Sequence, residues 1–283
     1  MAVFNSVEVL SQAFVDRLTA SYHSAFGSVA GDDSEYCNII RAAANTAIEV
    51  LTTSDAPYHD VDHTMMVTLV GQEIARGRLL SRGDVTPRDW AHFTVALLFH
   101  DIGYTRGICP GDRDDVAVIN SKGDTVVIPT GKTDAFLTPH HVERGKMFVR
   151  TRFAGSSALI DHAFICHSIE NTRFPVPADE DASETADWPG LVRAADLIGQ
   201  MADPDYLRKL PALYVEFEET GANERMGNHS SADLRDNYPD FFWNLVRPYI
   251  GAGIDYLKVT HGGRQWLSGL YSHVFYQEHR ARL

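Results

Sequence analysis

The sequence has few cysteines and no long apolar run. No stretch approaches the roughly 20 uninterrupted apolar residues of a membrane span, and the N-terminus lacks the basic region and apolar core of a signal peptide. These features predict a cytoplasmic protein with no membrane partner. The 3 cysteines are odd in number and widely separated, so they indicate neither a disulfide framework nor a zinc knuckle.

Positive charge is scarce as well. The chain has 25 Lys and Arg against 38 Asp and Glu, a formal net charge of −13. This balance argues against a nucleic-acid polymer as partner, because phosphate neutralisation needs a clustered basic face. It stays compatible with a small phosphorylated substrate that a divalent metal and one or two cations could hold. The oligomeric state is left open, a homo-oligomer included.

Helical periodicity is present over most of the 283 residues. Residues 8–29 and 33–53 predict two amphipathic helices, and 206–220, 232–250 and 254–280 predict three more. Two short β-branched runs at 116–119 and 125–128 predict a small hairpin, either a lid over a site or a surface ornament. We therefore expect one all-α domain over 1–283 with a β-hairpin insertion. Its core would span about 55–200, with 8–53 and 204–283 as packing additions.

The candidate chemistry starts at His100-Asp101, where a strongly apolar helix ends. Thr86-Pro87 predicts the start of that helix and Gly103 its end. An adjacent imidazole and carboxylate are costly to bury unless something binds them, and a metal ion would satisfy both. For the dipeptide alone, the alternative is a capping aspartate beside a core histidine.

Further candidate ligands lie on other predicted helices or helix ends: His63, His141, His167 and Asp196. His140 is an alternative to its neighbour His141 in a helix expected to start at Thr138-Pro139. Several helices that offer inward His and carboxylate groups can build a metal site in a bundle core. This ligand set suits iron, manganese, nickel or zinc better than magnesium alone.

In order and spacing, His63, His100-Asp101 and Asp196 resemble the His … His-Asp … Asp signature of the HD-domain superfamily of metal-dependent phosphohydrolases. The run from His59 to His63 is similar to the His-Asn-x-x-His of cyclic-nucleotide phosphodiesterases. The run from His141 to Gly145 looks like the His-x-x-x-Gly element of binuclear members such as the HD-GYP proteins, and the glycine favours His141 over His140.

The resemblance implies an HD-domain helical bundle with two divalent metal ions bridged by Asp101. It implies that His63, His100 and Asp196 complete the first site, and that His141 and His167 complete the second. Magnesium is an option at one of the two sites. A water bridging the metals would be the nucleophile, and His59 would protonate the leaving alkoxide as general acid.

Cations near these motifs are candidates for holding a phosphate: Arg144, Lys146 and Arg193, with Arg106 and Lys132 in the insertion. Tyr104 stands where HD-GYP proteins carry a lysine, and no Gly-Tyr-Pro follows, which disfavours a cyclic dinucleotide. Tyr104 and the loop up to Leu137 are therefore expected to decide which substrate is bound.

The expected function is metal-dependent hydrolysis of a small, nucleotide-like phosphomonoester or phosphodiester. Two alternatives belong to other classes. Some HD-superfamily members with the same ligand set, the inositol oxygenases and a phosphonate-cleaving dioxygenase, are di-iron oxygenases. A third interpretation is a non-enzymatic domain that senses a ligand.

Overall fold

A computed structural model describes residues 6–30, 35–155, 159–177 and 184–280. The first half contains four α-helices, two short strands and two 3-10 turns: α1 (Ser6–Ala30), α2 (Glu35–Leu51), α3 (Val61–Arg82), α4 (Pro87–Phe99), a turn at Ile102–Tyr104, β1 (Val116–Val118), β2 (Thr125–Val127) and a turn at Asp134–Leu137. The second half is helical: α5 (His141–Arg152), α6 (His162–Glu170), α7 (Trp188–Met201), α8 (Tyr206–Thr220), α9 (Ala222–Met226), α10 (Ser231–Asp236), α11 (Tyr238–Phe241), α12 (Gly251–Leu257) and α13 (His261–His279). The protein is 69% helical, which confirms the all-α prediction with its small hairpin.

Helix α4 runs through the centre of the molecule. Every residue from Trp90 to Phe99 is buried, as its nearly continuous apolar sequence predicts. Its start is set by a capping box, in which the Thr86 side chain accepts from the backbone N–H of Asp89 and the Asp89 carboxylate accepts from that of Thr86. The helix delivers His100 and Asp101 at its C-terminal end, inside the core.

Helices α3 and α7 pack closely against each other beside α4. A Cβ atom on Gly199 would lie 2.6 Å from the Cα of Val67, so only glycine allows this approach. One continuous buried apolar cluster extends from Phe14 in α1 to Val274 in α13. The three central helices are thus held at fixed positions, and each carries residues of the candidate site.

The C-terminal part differs from the expected long helices. The segment 232–250 is divided into α10, α11, a π-helical turn (Phe242–Val246) and a 3-10 turn (Arg247–Tyr249). Pro239 and Pro248 lie in this segment and each removes a backbone donor. The segment 254–280 is divided at Thr260, whose side chain accepts from the Gly263 N–H and starts α13. The sequence also predicts a helix over 156–172. The structure has α6 within this range, and residues 156–158 lie outside the described residues.

The insertion after the His-Asp dipeptide contains the predicted hairpin. Strands β1 and β2 pair antiparallel with Val116 opposite Val127. Their inward residues join a small separate apolar cluster with Leu137. The two ends of the insertion, at Tyr104 and Thr138, adjoin the candidate site. No helix in the described part of the chain is long and apolar enough to cross a membrane.

Candidate metal centre

Four predicted ligands from three helices converge in the core. The Asp101 Oδ2 atom lies 3.1 Å from His100 Nε2 and 3.2 Å from His63 Nε2. The Asp196 Oδ1 atom lies 3.5 Å from His63 Nε2 and 3.6 Å from His100 Nε2. The side chains of His63, His100, Asp101 and Asp196, which are far apart in the sequence, therefore form one compact group of nitrogen and oxygen ligand atoms.

The unpaired atoms of this group are arranged for a cation. His100 Nδ1 donates to the Leu97 carbonyl at 2.7 Å, which in the neutral imidazole leaves the Nε2 lone pair pointing into the group. The Nε2 atoms of His63 and His100 lie only 3.4 Å apart. Asp101 Oδ2 is buried and accepts no hydrogen bond. A buried carboxylate oxygen without a donor is costly, and a metal ion in this ligand set would satisfy it. The residues present therefore fit a metal ion.

The pKa shifts of the His-Asp group also favour a bound cation. Burial alone would lower the pKa of His100, but Asp101 and Asp196 raise it well above its usual range. Burial alone would raise the pKa of Asp101, but the neighbouring His100 holds it well below its usual range. Two largely buried carboxylates thus create a negative potential that favours bound positive charge, whether a proton or a metal ion.

His141 lies near the other oxygen of the Asp101 carboxylate. Its Nε2 lies 3.6 Å from Asp101 Oδ1, and its Nδ1 lies 2.6 Å from the Thr138 carbonyl. This approach depends on Gly103, because a Cβ there would lie 1.8 Å from the His141 carbonyl oxygen. Helix α5 begins at His141 itself, three residues later than Thr138. Among the adjacent pair of histidines, His141 is the one that reaches Asp101.

His59 also faces the group, held by a residue that sequence reasoning missed. Its Nδ1 lies 2.5 Å from the Glu216 carboxylate on α8, and the second Glu216 oxygen accepts the backbone N–H groups of Tyr58 and His59. Burial alone would lower the pKa of His59, but Glu216 raises it to about 9. The available signal was an acidic residue on the buried face of α8, in register with Leu210 and Leu213.

Tyr104 is buried between two of these histidines. Its ring stacks on His59 at a centroid distance of 4.6 Å and on His141 at 4.5 Å, with interplanar angles of 9° and 24°. Burial raises the pKa of its hydroxyl well above the usual range, and the nearby Asp101 adds to the effect. The structure thus places Tyr104 at the site, as a neutral spacer between the imidazoles.

The structure does not bring His167 into the group. Helix α6 turns Ile165, Cys166 and Ile169 into the core, and His167 lies on the opposite, exposed face. On a helix with 3.6 residues per turn, His167 cannot face inward together with those neighbours, so the structure places it away from the other residues expected in a second metal site. Among the described residues, two groups could hold a metal ion, His59 with His63 and Asp101, and His63 with His100 and Asp196, and neither includes His167.

The three candidate phosphate cations are used elsewhere. The Arg144 guanidinium is completely buried and donates to Asp112 and to the carbonyls of Gly103, Thr105 and Val118. Lys146 Nζ forms ion pairs with Glu143, at 2.7 Å, and with Glu170. Arg193 is buried, donates to the Asn171 carbonyl and lies over the Tyr249 ring. None of the contacts named here joins a cation to the His-Asp group.

Comparison with known proteins gives a family but no activity. No curated protein matches the chain. A family model described as Npun_R2479-like matches residues 4–280, nearly the whole length. The chain therefore belongs to the Npun_R2479-like family.

Proposed function

We propose that the protein is a metal-dependent hydrolase of small phosphate esters, related in its chemistry to the HD-domain phosphohydrolases that its motifs resemble. The observation that carries this proposal is the set of contacts, 3.1–3.6 Å long, that the Asp101 and Asp196 carboxylates make with both His63 and His100, together with a buried Asp101 oxygen that has no donor. A redox-inactive structural site is a weaker interpretation, because Asp196 and His141 are each 15% exposed and give the group access to solvent.

The four converging residues would hold one divalent ion. Such an ion, when bound, polarises a phosphoryl oxygen and lowers the pKa of water. Two neutral imidazoles and two carboxylates suit iron, manganese, nickel or zinc. Of the set implied for a second ion, only His141 and the remaining Asp101 oxygen lie together in the described residues. We therefore propose one tightly held ion in place of the two implied by the resemblance.

His59 is suited to protonate the leaving oxygen. It is 15% exposed, so a substrate can reach it, while Glu216 holds its orientation and favours its protonated form. Tyr104 stacks on its face and restricts the ring to one plane. Glu216 and Tyr104 act through His59, so they are positioning residues in this scheme.

Metal content and hydrolysis test the proposal together. Protein loaded with manganese, iron or zinc should contain one ion per chain by elemental analysis and should release phosphate or alcohol from at least one ester in a panel. Asp101→Ala should lose the ion. His167→Ala is the matched control and should keep it, because His167 is exposed and outside the group.

Leaving groups test the role of His59. His59→Ala should slow hydrolysis of an alkyl ester by about 10²–10⁴-fold and that of a 4-nitrophenyl ester much less, since nitrophenolate needs no proton to leave. Loaded protein that turns over no ester would contradict the proposal. Oxygen uptake by the iron-loaded protein without ester hydrolysis would instead identify the oxygenase alternative.

A further inference from the structure

The charges at the metal centre nearly cancel once a divalent ion is bound. Asp101 and Asp196 carry two negative charges, which balance the ion. Glu216 contacts His59 at 2.5 Å, so its carboxylate offsets any positive charge on that imidazole. The side chains of the centre that solvent can reach include His59, His141 and Asp196, each 15% exposed. The centre therefore offers an incoming anion little net positive charge.

Basic side chains near the motifs do not change this balance. Arg144 and Lys146 are committed to Asp112, Glu143 and Glu170 as described above. Arg106, at the start of the insertion, pairs with Asp134 and at 2.9 Å with Asp55. An arginine or lysine that is already neutralised by a carboxylate contributes little to binding a phosphate.

The side of the centre formed by the start of α3 and the α7–α8 connection is acidic. Lys209 Nζ pairs with Asp203 at 2.8 Å, and Asp60 and Asp62 also lie close enough to raise the pKa of its amine. One lysine among three aspartates leaves this side negative. Phosphate groups beyond the reacting one would be repelled there.

Lys132, the second cation of the insertion, takes part in no ion pair among the described residues. Its neighbour Thr133 donates its backbone N–H, at 3.0 Å, and its hydroxyl, at 2.8 Å, to the Glu219 carboxylate on α8. An acidic group thus lies beside this lysine too. The surroundings described for the centre supply no clustered cations of the kind that hold a dianionic phosphate or a polyphosphate.

We propose that the centre acts on phosphate esters with a single negative charge at the reacting phosphorus, phosphodiesters, in preference to phosphomonoesters and polyphosphates. This inference rests on the proposed hydrolase function. A diester monoanion brings one charge to a nearly neutral centre, and the ion can offset it. A monoester dianion brings a second charge with no cationic partner, in a pocket where screening by water is weak.

A matched substrate pair tests the inference. Bis(4-nitrophenyl) phosphate and 4-nitrophenyl phosphate share a leaving group, and at about pH 8 they carry one and two negative charges. With manganese- or zinc-loaded protein, kcat/KM should be higher for the diester by about tenfold or more. Equal or faster turnover of the monoester would overturn the charge preference while leaving the hydrolase function intact.

Two lysine variants sharpen the result. Lys132→Met and Lys146→Met should each leave the ratio of diester to monoester kcat/KM unchanged, because neither side chain is assigned to the phosphate. A selective loss of monoester turnover in either variant would show a cationic subsite and contradict the inference.

Failure of the two proposals can be separated. If neither ester is hydrolysed, the hydrolase function fails, and calorimetry with the zinc-loaded protein then measures binding of diphenyl phosphate against phenyl phosphate. Tighter binding of the diester still supports the charge preference of the centre. Tighter binding of the monoester refutes it.

Discussion

Replacement of Arg144 by methionine separates a structural role from the substrate-binding role that the sequence suggested. The guanidinium is completely buried and donates to both Asp112 oxygens, at 3.1 and 2.9 Å. It also donates to the carbonyls of Gly103, Val118 and Thr105, at 2.8, 2.6 and 2.8 Å. Methionine keeps the apolar stem but leaves the Asp112 carboxylate, whose side chain is only 2% exposed, without its charge partner.

The expected cost is about 3–5 kcal/mol in the free energy of unfolding, the range for removing one partner of a buried ion pair. Urea titration of the metal-free protein, followed by circular dichroism and tryptophan fluorescence, measures it. Lys146→Met is the matched control on the same helix. Its partners Glu143 and Glu170 are partly exposed, so its cost should be about 0–1 kcal/mol.

The Arg144 effect should also depend on pH. Burial alone would raise the pKa of Asp112, but Arg144 and backbone donors lower it below its usual range. A carboxyl whose pKa is lowered on folding contributes stability above its unfolded pKa of about 4 and loses it as the pH falls through the folded value. The difference in unfolding free energy between wild type and Arg144→Met should therefore become smaller below about pH 4. Unchanged urea stability with a raised KM would refute this reasoning and restore Arg144 as a substrate ligand.

Three further changes test the site. In metal-free protein, NMR titration should show His59 protonated up to about pH 9, and Glu216→Gln should lower that pKa. The stability that the His59–Glu216 pair contributes is complete below about pH 6.5 and is lost as the pH rises through 9. An unchanged His59 pKa in the variant would contradict the pairing. Gly199→Ala should cost about 1–3 kcal/mol of unfolding free energy, because its Cβ would overlap Val67, and wild-type stability would exclude the close packing of α3 on α7. His167→Ala should change stability by less than about 0.5 kcal/mol in the same urea assay, and a larger loss would place His167 in a buried contact.

Local sequence signals predicted the elements around the site well. Thr86-Pro87 and Asp89 set the start of α4, and its apolar run predicted a buried helix ending at His100. These signals act within one helical turn, through capping hydrogen bonds and side-chain burial, so they can be read without knowing the fold. The expected helices in 232–250 and 254–280 were too long because periodicity outweighed the prolines and the cap at Thr260.

The sequence was weaker where a residue's role depends on its partner. Arg144 and Lys146 were placed near the site by chain position alone, and only their partners Asp112 and Glu170 show that they are committed elsewhere. Glu216 lies 157 residues from His59 and belongs to no motif with it. A contact of that separation is determined by how α8 packs, and no local pattern encodes it.

By itself, the sequence determined the helical class, the hairpin and the order of the four residues that converge at the centre, because capping, periodicity and ligand type are properties of short segments. The tertiary structure decided which candidates meet. It brings His63, His100, Asp101 and Asp196 together and leaves His167 on the outer face of α6. The physical reason is that ligand geometry follows from the packing of α3, α4 and α7, in which Gly199 allows a contact that no spacing along the chain reveals.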